Sequence, residues 1–542
     1  MMTRNVAVIV YLAVILLSLN VVMTTSVEAA KLRVRYDIAK RSPHYIAQLR
    51  RAVGKMMALD SKNPTSWAFQ ANIHGVPLCD FNDLPLPGCV DSFDPATWPE
   101  GTQAWDACPH GNLFFLSWHR IYVFYLERLL RHYSGDRQFT ISYWNYSKGT
   151  EEARKLPAPY RVPADATNPL YTFARNKWVS EFSGFQFGDV NVGDPLDPQA
   201  VVATDALTQN AWQDFSNSVE GVPHGLVHVF VGGTYEGGFD DPNAKPGWMS
   251  VVPVAARDPI FWQHHGNIDR LWNEWLRSGD GRENPSSDEE IEVILEDSRD
   301  YMMERCSRFD ISDWEQCKTA QVYLFYDIDS YGNPIEVKLA APEIIKRAAK
   351  TENLGYRYDD DVAPSYGAVA TAAEHRDQEA AARASGNQLG REVKSMSVPI
   401  SPEMHNEIDT AVRSAMSRGR QEKPQNVMLI VEGIRVTDKL PPLGHYEVYI
   451  NLPQAAKARV NEAGFKSKFP AHYVGVLEFF ALTDPTMQHH GHSLKANITE
   501  NIARLRLDGQ WEHDNVDVTF VPRGFHPTEP AITFSNIVLQ RR

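Results

Sequence analysis

The grouping of its histidines is the feature that most limits what this chain can fold into. Seven of the 18 histidines fall into three short, aromatic-rich settings. A single histidine beside aromatic residues is usually a core residue with its hydrogen bonds satisfied, but seven in three such settings indicate metal binding. The settings hold His74, His110 and His119, then His224 and His228, and then His264 and His265.

The spacing within these settings favours two metal ions of one kind. His224 and His228 are four residues apart, so on a helix both imidazoles lie on one face, where one metal can bind both. Imidazole suits zinc, copper, iron and nickel, so the ligand type alone does not select the metal. Two three-histidine sets without a carboxylate ligand favour copper over a zinc hydrolase, whose site commonly adds a carboxylate.

Two longer motifs resemble the copper signatures of the tyrosinase family. The segment from His110 through Trp118-His119-Arg120 to Glu127 is similar to the first signature, and the segment from Asp258 to Asp269 is similar to the second. The resemblance implies two copper ions in a dinuclear site. It assigns His74, His110 and His119 to copper A, and His224, His228 and His265 to copper B. The family pattern selects His265 as the ligand and leaves its neighbour His264 beside the site.

The same resemblance implies roles for four further residues. Asp269 is expected to orient a copper ligand through the other ring nitrogen of that ligand. Glu220 is expected to hold a water and help accept the phenol proton, although a glutamate there also suits the first turn of a helix. Gly225 stands where strong tyrosinases often carry asparagine, which favours diphenol oxidation. Val252 replaces the bulky phenylalanine gate of plant relatives, which predicts a wider substrate mouth.

The N-terminus has the organisation of a signal peptide. Arg4 precedes an apolar run over residues 6–19, and Val27-Glu28-Ala29 ends in small residues suited to cleavage. We expect residues 1–29 to be removed and the mature chain to be secreted or otherwise exported, without stable membrane insertion. An uncleaved membrane anchor is the alternative, because the apolar stretch extends to Met23.

Five cysteines in an exported protein predict disulfide bonds with one cysteine left over. The close pairs are Cys79 with Cys89 and Cys306 with Cys317, which leaves Cys108. Cys108-Pro109-His110 has the Cys-x-His spacing of fungal and molluscan relatives, and this resemblance implies a thioether between Cys108 and His110. A free buried thiol is the alternative.

The chain has 542 residues, which is more than one ordinary hydrophobic core accommodates. Its composition divides it into three stretches of different character. Residues 30–358 are rich in aromatic and helical patterns, which predicts a mainly α fold, a helical bundle holding the dinuclear copper site. Residues 359–424 have almost no aromatics and predict a protease-sensitive linker. Residues 425–542 contain short β-type runs between turns, which predict a C-terminal β-sandwich. Plant-type relatives imply that this domain shields the site.

The resemblance implies an oxidase that converts o-diphenols to o-quinones with O2 and leaves hydroxylation of monophenols open. Its partners are therefore phenolic small molecules and O2. A net charge of −14 argues against a nucleic-acid partner. A haemocyanin-like oxygen carrier without turnover is the competing interpretation, but such carriers repeat the copper unit many times and this chain has one copy.

Overall fold

The structure is a computed structural model that describes most of the chain between residues 32 and 541. The predicted signal peptide, residues 1–29, lies outside the described residues. Within the described part, no helix combines the length and the apolar character needed to cross a membrane. The described ranges are 32–84, 86–182, 185–238, 241, 243–278, 281–361, 382–416, 427–436, 445–462, 465–478, 480, 492–511, 514–523 and 532–541.

Helices dominate the chain up to residue 348, as the aromatic periodicity predicted. The longest, α3, has 20 residues and ends at Gly135, whose positive φ of 76° favours glycine. Its apolar face joins that of α10 in one continuous core. The helices are α1 (Pro43–Met57), α2 (Trp67–His74), α3 (Phe115–Ser134), α4 (Glu151–Arg154), α5 (Pro198–Val201), α6 (Thr204–Leu207), α7 (Trp212–Val219), α8 (Leu226–Gly232), α9 (Val252–Ala255), α10 (Ile260–Arg277), α11 (Asp288–Asp297), α12 (Arg299–Ser307), α13 (Trp314–Thr319) and α14 (Ala341–Ala348).

Short strands connect these helices and close the helical domain. The first and last strands of the domain, β1 and β8, pair in parallel, with Arg33 opposite Tyr356 and Arg35 opposite Tyr358. The other strands form three antiparallel pairs, β2 with β3, β4 with β5 and β6 with β7. The strands are β1 (Arg33–Arg35), β2 (Ser180–Phe182), β3 (Phe185–Phe187), β4 (Thr234–Glu236), β5 (Lys245–Pro246), β6 (Tyr323–Ile328), β7 (Pro334–Leu339) and β8 (Tyr356–Tyr358).

The C-terminal domain has two four-stranded sheets, which confirms the predicted mainly α domain followed by a β domain. One sheet has the strand order β10-β15-β12-β13 and the other β14-β11-β16-β9. Apolar residues of both sheets, among them Leu429, Val448 and Phe520, share one core. The elements are β9 (Ala382–Leu389), β10 (Lys394–Pro399), α15 (Pro402–Met416), β11 (Val427–Val436), β12 (His445–Ile450), α16 (Gln454–Lys457), α17 (Phe465–Lys468), β13 (Tyr473–Glu478), β14 (His492–Asn497), α18 (Thr499–Leu507), β15 (Asn515–Arg523) and β16 (Ile532–Arg541).

The prediction of a linker over residues 359–424 is wrong for much of that range. Its strands β9 and β10 pair with β16 and β15, so the β domain begins by residue 382 and not at 425. Both are edge strands, where backbone pairing needs little apolar side-chain area, and the predominantly polar sequence of β9 gave no strand signal. Residues 362–381 and 417–426 lie outside the described ranges.

Two disulfide bonds tie loops of the helical domain. Cys79 is bonded to Cys89 and Cys306 to Cys317, which are the two pairings that the sequence predicted. The first lies in the chain between α2 and α3, and the second joins α12 to α13. Cys108 is the cysteine outside both bonds, and it is buried.

Candidate metal centre

Three histidines and a cysteine form one buried group, termed group A. His74 is the last residue of α2, His119 lies in α3, and Cys108 and His110 lie in the chain between these helices. Their side-chain donor atoms all lie within 4.8 Å of one another. Buried polar atoms that converge in this way are typical of a metal site.

Four histidines form a second buried group, termed group B. His224 lies in a π-helical turn, residues Glu220–Gly225, and His228 in the helix α8 that follows it. His264 and His265 lie on α10. The donor atoms of these four side chains also lie within 4.8 Å of one another. The structure therefore brings together all seven histidines that the sequence singled out.

The two groups adjoin. The rings of His119 in group A and His265 in group B are stacked, with centroids 4.5 Å apart and planes 10° apart. The ring centroids of His110 and His224, again one from each group, are 5.8 Å apart. Two ions bound by these groups would be close enough to act on one small molecule together.

Backbone carbonyl groups orient most of the ligand candidates. The Nδ1 atoms of His119, His224 and His228 donate to the carbonyl oxygens of Phe115, Glu220 and Met249 at 2.9, 3.0 and 2.8 Å. A carbonyl oxygen can only accept, so the ring proton is on Nδ1 and the lone pair of Nε2 is left for a metal. His74 is held in the same way by a carbonyl oxygen 3.2 Å from its Nδ1.

That carbonyl belongs to Val252, the predicted substrate gate. Val252 is the first residue of α9 and its side chain is buried in the core of the helical domain. The residue thus orients a ligand candidate of group A through its backbone. Its effect on substrate size stays a prediction.

Burial also sets the protonation of the histidines. It lowers the pKa of His74 and of His224 to about 3, and it moves the pKa of His119, His228 and His265 well below the ordinary value. The imidazoles are therefore neutral at neutral pH, which is the form that binds metals.

The predicted role of Asp269 is wrong. Its carboxylate accepts hydrogen bonds from Arg35, Arg120, Tyr356 and Tyr358, and Nδ1 of His265 has no hydrogen-bond partner among the described residues. Burial alone would raise the pKa of Asp269, but the two arginines hold it below its usual value. A buried carboxylate needs charged partners more than it needs an imidazole, so Asp269 joins the strand pair β1–β8 to α3 and α10.

Glu220 links the two groups. It is buried, and its Oε1 accepts a hydrogen bond from the backbone N–H of Gly111 at 2.6 Å. The carboxylate therefore joins the segment that carries His110 to the turn that carries His224. Gly225 is the last residue of this turn and is buried. Because it is a glycine, it has no side chain that could orient a water with Glu220.

The sulfur of Cys108 faces two histidines. It lies 3.6 Å from Nδ1 and 3.7 Å from Nε2 of His110, and 3.2 Å from Nε2 of His119. The sulfur is therefore nearly equidistant from the two ring nitrogens of His110. Both histidines are therefore within reach of the thiol.

Phe480 is a site residue that the sequence did not reveal. It follows β13 of the C-terminal domain and is buried in the core of the helical domain. Its ring is stacked on His228, with centroids 3.9 Å apart and planes 17° apart. It also meets the rings of His110 and His224 edge-on, at 5.6 and 5.7 Å. One phenylalanine thus covers ligand candidates of both groups.

Other contacts of the C-terminal domain flank the same site. Lys495 of β14 forms an ion pair with Asp297, whose other oxygen accepts from the N–H of Leu113 at 2.8 Å, three residues after His110. His445 of β12 lies edge-on against Phe185, with ring centroids 4.8 Å apart. The domain is therefore attached to a segment that carries a group A histidine.

Comparisons with known proteins agree with this geometry. Residues 64–278 match the family model described as the common central domain of tyrosinase, and residues 378–542 match one described as a domain of unknown function. Tyrosinase HcTyr1 of Hahella sp. is 24% identical over 94% of this chain and 99% of its own length. Polyphenol oxidase C, chloroplastic, of Solanum lycopersicum is 26% identical over 91% of this chain and 71% of its own length.

The fold has similar solved structures. A latent aurone synthase (polyphenol oxidase) aligns with a TM-score of 0.55 and 18% identity over 95% of this chain and 90% of its own. Latent apple tyrosinase aligns with a TM-score of 0.53 and 20% identity over 94% of this chain and 97% of its own. The arrangement of a helical domain and a β domain is therefore shared with both structures.

Proposed function

We propose that this chain is a polyphenol oxidase of the tyrosinase family that converts o-diphenols to o-quinones with O2, since residues 64–278 match the family model of the common central domain of tyrosinase. The observation that carries the proposal is the pair of adjoining groups of buried imidazoles. We assign copper A to His74, His110 and His119, and copper B to His224, His228 and His265. Copper fits these donors, because imidazole accommodates both of its oxidation states and three ligands leave a position open.

Copper held by these residues would supply two-electron redox chemistry, one electron per ion. Oxidation of two diphenols in turn therefore provides the four electrons and four protons that convert one O2 into two waters. Each diphenol loses two electrons and two protons and leaves as a quinone. The residues of the chain keep water out of the site, keep the buried imidazoles neutral and accept the protons that the diphenol loses. Glu220, which joins the His110 segment to the His224 turn, is our candidate for accepting the first phenol proton.

Purified chain loaded with copper tests this function. We expect about two coppers per chain, O2 uptake with 4-methylcatechol, and a stoichiometry of one O2 for two quinones. An oxygen carrier would bind O2 reversibly without forming quinone, and a metal-dependent hydrolase would consume no O2. The proposal would be rejected if either of these results were obtained both with the full-length chain and after removal of the C-terminal domain.

Gly225 is expected to keep diphenol oxidation faster than monophenol hydroxylation. Replacing Gly225 with asparagine adds an amide beside Glu220 that can orient a water for proton transfer. We expect tyramine hydroxylation to rise roughly tenfold relative to dopamine oxidation, measured as the ratio of the two initial rates. Gly225→Ala is the matched control, because it adds a Cβ without the amide. A wild-type protein that already hydroxylates tyramine as fast as it oxidises dopamine would contradict the role of this position.

We propose that Cys108 forms a thioether with His110. Formation of the S–C bond removes one hydrogen from each partner, with copper and O2 as oxidant, so the mapped peptide should be about two hydrogens lighter and should resist alkylation. Fragment spectra of that peptide identify the histidine, which matters because His119 is also close to the sulfur. Recovery of fully alkylated Cys108 under denaturing, reducing conditions would support the free thiol instead.

We further propose that the enzyme is made as a latent precursor in which Phe480 blocks the copper site. The stacking of Phe480 on His228 and its edge contacts with His110 and His224 support this. The ring occupies the face that a phenol would need in order to reach either group.

The N-terminal sequence supports export of the mature chain. The N-terminal residue of the exported protein, read by peptide sequencing, is expected to be Ala30.

A further inference from the structure

His110 is the group A histidine that no helix carries. His74 ends α2 and His119 lies within α3, whereas His110 lies in the chain between these helices. A ring on a helix is positioned by the backbone hydrogen bonds of that helix. The position of His110 depends instead on how its surroundings hold the short segment 110–114, termed the His110 loop.

Side chains from two distant parts of the helical domain hold this loop by its backbone. The N–H of Gly111 donates to Oε1 of Glu220 at 2.6 Å, and the N–H of Leu113 donates to Oδ2 of Asp297 at 2.8 Å. Leu113 is fully buried, so without the carboxylate its N–H would be an unsatisfied buried donor. Asp297 therefore helps to keep the loop in its conformation.

The residue next to Asp297 also contacts the loop. Ser298 immediately precedes α12, at the position where a serine hydroxyl usually caps the helix, but it makes no such bond. Its hydroxyl donates instead to Oδ1 of Asn112 at 3.2 Å, and Nδ2 of Asn112 donates to the carbonyl oxygen of His110 at 3.0 Å. The corner between α11 and α12 therefore directs two polar side chains to the His110 loop.

Asp297 has a second partner, which belongs to the C-terminal domain. Its Oδ1 forms an ion pair with Nζ of Lys495 on β14. Both side chains are buried between the domains, with exposed fractions of 8% for Asp297 and 11% for Lys495. Removing one partner of a buried ion pair leaves the other charge uncompensated. The carboxylate is therefore held in one orientation while Lys495 is in place.

We propose that Asp297 is a positioning residue for the copper A ligand His110, and that Lys495 couples the docking of the β domain to this role. The carboxylate presents one oxygen to the loop and the other to the β domain. While the β domain is docked, Lys495 fixes the carboxylate. The carboxylate in turn fixes the N–H of Leu113, three residues after His110. Undocking removes the cation, and the carboxylate can then turn towards water.

The β domain thereby has a second role beside the block by Phe480. Phe480 controls whether a phenol can reach the ligand candidates, whereas Lys495 and Asp297 control how firmly copper A is retained. The docked chain should therefore release copper A more slowly than the undocked one. This inference rests on the proposed copper site, and it concerns the retention of copper A and not the reaction.

Three single variants of the full-length, copper-loaded chain separate the two contacts of Asp297. Asp297→Ala removes both contacts, Lys495→Met removes the ion pair alone, and Asp297→Asn removes the charge but keeps an oxygen for the N–H of Leu113. Hydrogen exchange of the Leu113 amide, resolved by fragmentation mass spectrometry, reports on the loop directly. We expect exchange at least tenfold faster in Asp297→Ala and roughly threefold faster in the other two variants.

Copper retention is the second measurement. Release of one of the two coppers from the reduced chain to a copper(I) chelator should be roughly tenfold faster in Asp297→Ala, which is the size of effect expected when a group that orients a metal ligand is lost. It should be roughly threefold faster in Lys495→Met and Asp297→Asn, so that asparagine partly rescues the loss. The other copper should leave at the wild-type rate, whereas a general loss of stability would speed the release of both.

Lys466→Met and Asp205→Ala are the matched controls, because these residues form an ion pair between the same two domains with more exposed side chains. Both should keep wild-type exchange at Leu113 and wild-type copper release. Wild-type exchange in Asp297→Ala, or equal release from all variants, would overturn the inference. If Asp297→Ala does not fold, wild-type exchange and release in both Asp297→Asn and Lys495→Met would overturn it. A wild-type chain that binds no copper would instead reject the proposed function, and the exchange rates would still decide whether Asp297 holds the loop.

Discussion

Alanine at any one of His74, His110, His119, His224, His228 and His265 is expected to abolish diphenol oxidation, with a loss on the order of a thousandfold or more. Each of these imidazoles is fully or almost fully buried and belongs to one of the two adjoining groups. Removing one leaves two ligands and a cavity where the third ring was. Because O2 reduction needs both ions, loss of either copper stops turnover.

Copper analysis separates ligands from neighbours within group B. His265→Ala is expected to retain about one copper per chain, whereas His264→Ala should retain about two. His44→Ala, at an exposed position on α1, controls for the loss of a histidine as such. Full loading of His265→Ala together with loss of one copper in His264→Ala would reverse the assignment of the two residues.

The second large effect is expected from Phe480→Ala, which should activate the intact chain. Burial of a phenylalanine contributes about 2 kcal/mol, so its loss weakens the closed arrangement and shifts the open population roughly thirtyfold. It also empties the space over His228. We expect catechol oxidation by the uncut protein to rise at least tenfold, measured as initial O2 uptake.

A matched variant distinguishes unblocking from general loosening of the β domain. Phe469→Ala removes the same side chain from the same domain, where Phe469 packs on Phe465 and His472 and not on the metal groups. It should leave the intact protein latent. Equal activity in wild type and Phe480→Ala would reject Phe480 as the blocking residue.

Limited trypsin digestion examines latency by an independent route. Arg376 is the basic residue between the end of the described helical domain at Asp361 and strand β9. Cleavage there should release the constraint on the β domain and raise activity severalfold, whereas Arg383 and Lys394 lie in paired strands and should resist cutting. A cut protein that precipitates without activity would show that the β domain is a permanent structural partner.

The sequence predicted what depends on short spacings. The four-residue step from His224 to His228 and the ten- and eleven-residue cysteine pairs bring their side chains together through local chain geometry. The β runs of the C-terminal domain were also recognisable, because alternation with turns is a local signal. Strand β10 could have been found in the same way, since Met396 and Val398 alternate with polar residues and are buried.

Long-range partners escaped prediction. Three of the four partners of Asp269 come from the two ends of the helical domain, and nothing near position 269 in the sequence identifies Arg35 or Tyr356. The placement of Phe480 depends on how the two domains dock, and a phenylalanine just after a strand otherwise resembles an ordinary core residue.

The parallel pairing of β1 with β8 brings the two ends of the helical domain together. Beyond β8, Lys40 is paired with Asp359 and Arg270 with Asp360, so the closure extends to the last residues before the segment that leads to β9. The first and last strands of the helical domain therefore lie side by side, and the chain continues to the β domain just beyond this strand pair. A short peptide that joined Asp361 to Arg33 would therefore make the helical domain circular. A circular permutant with new termini in a surface loop should keep the copper-binding helices in the same spatial arrangement.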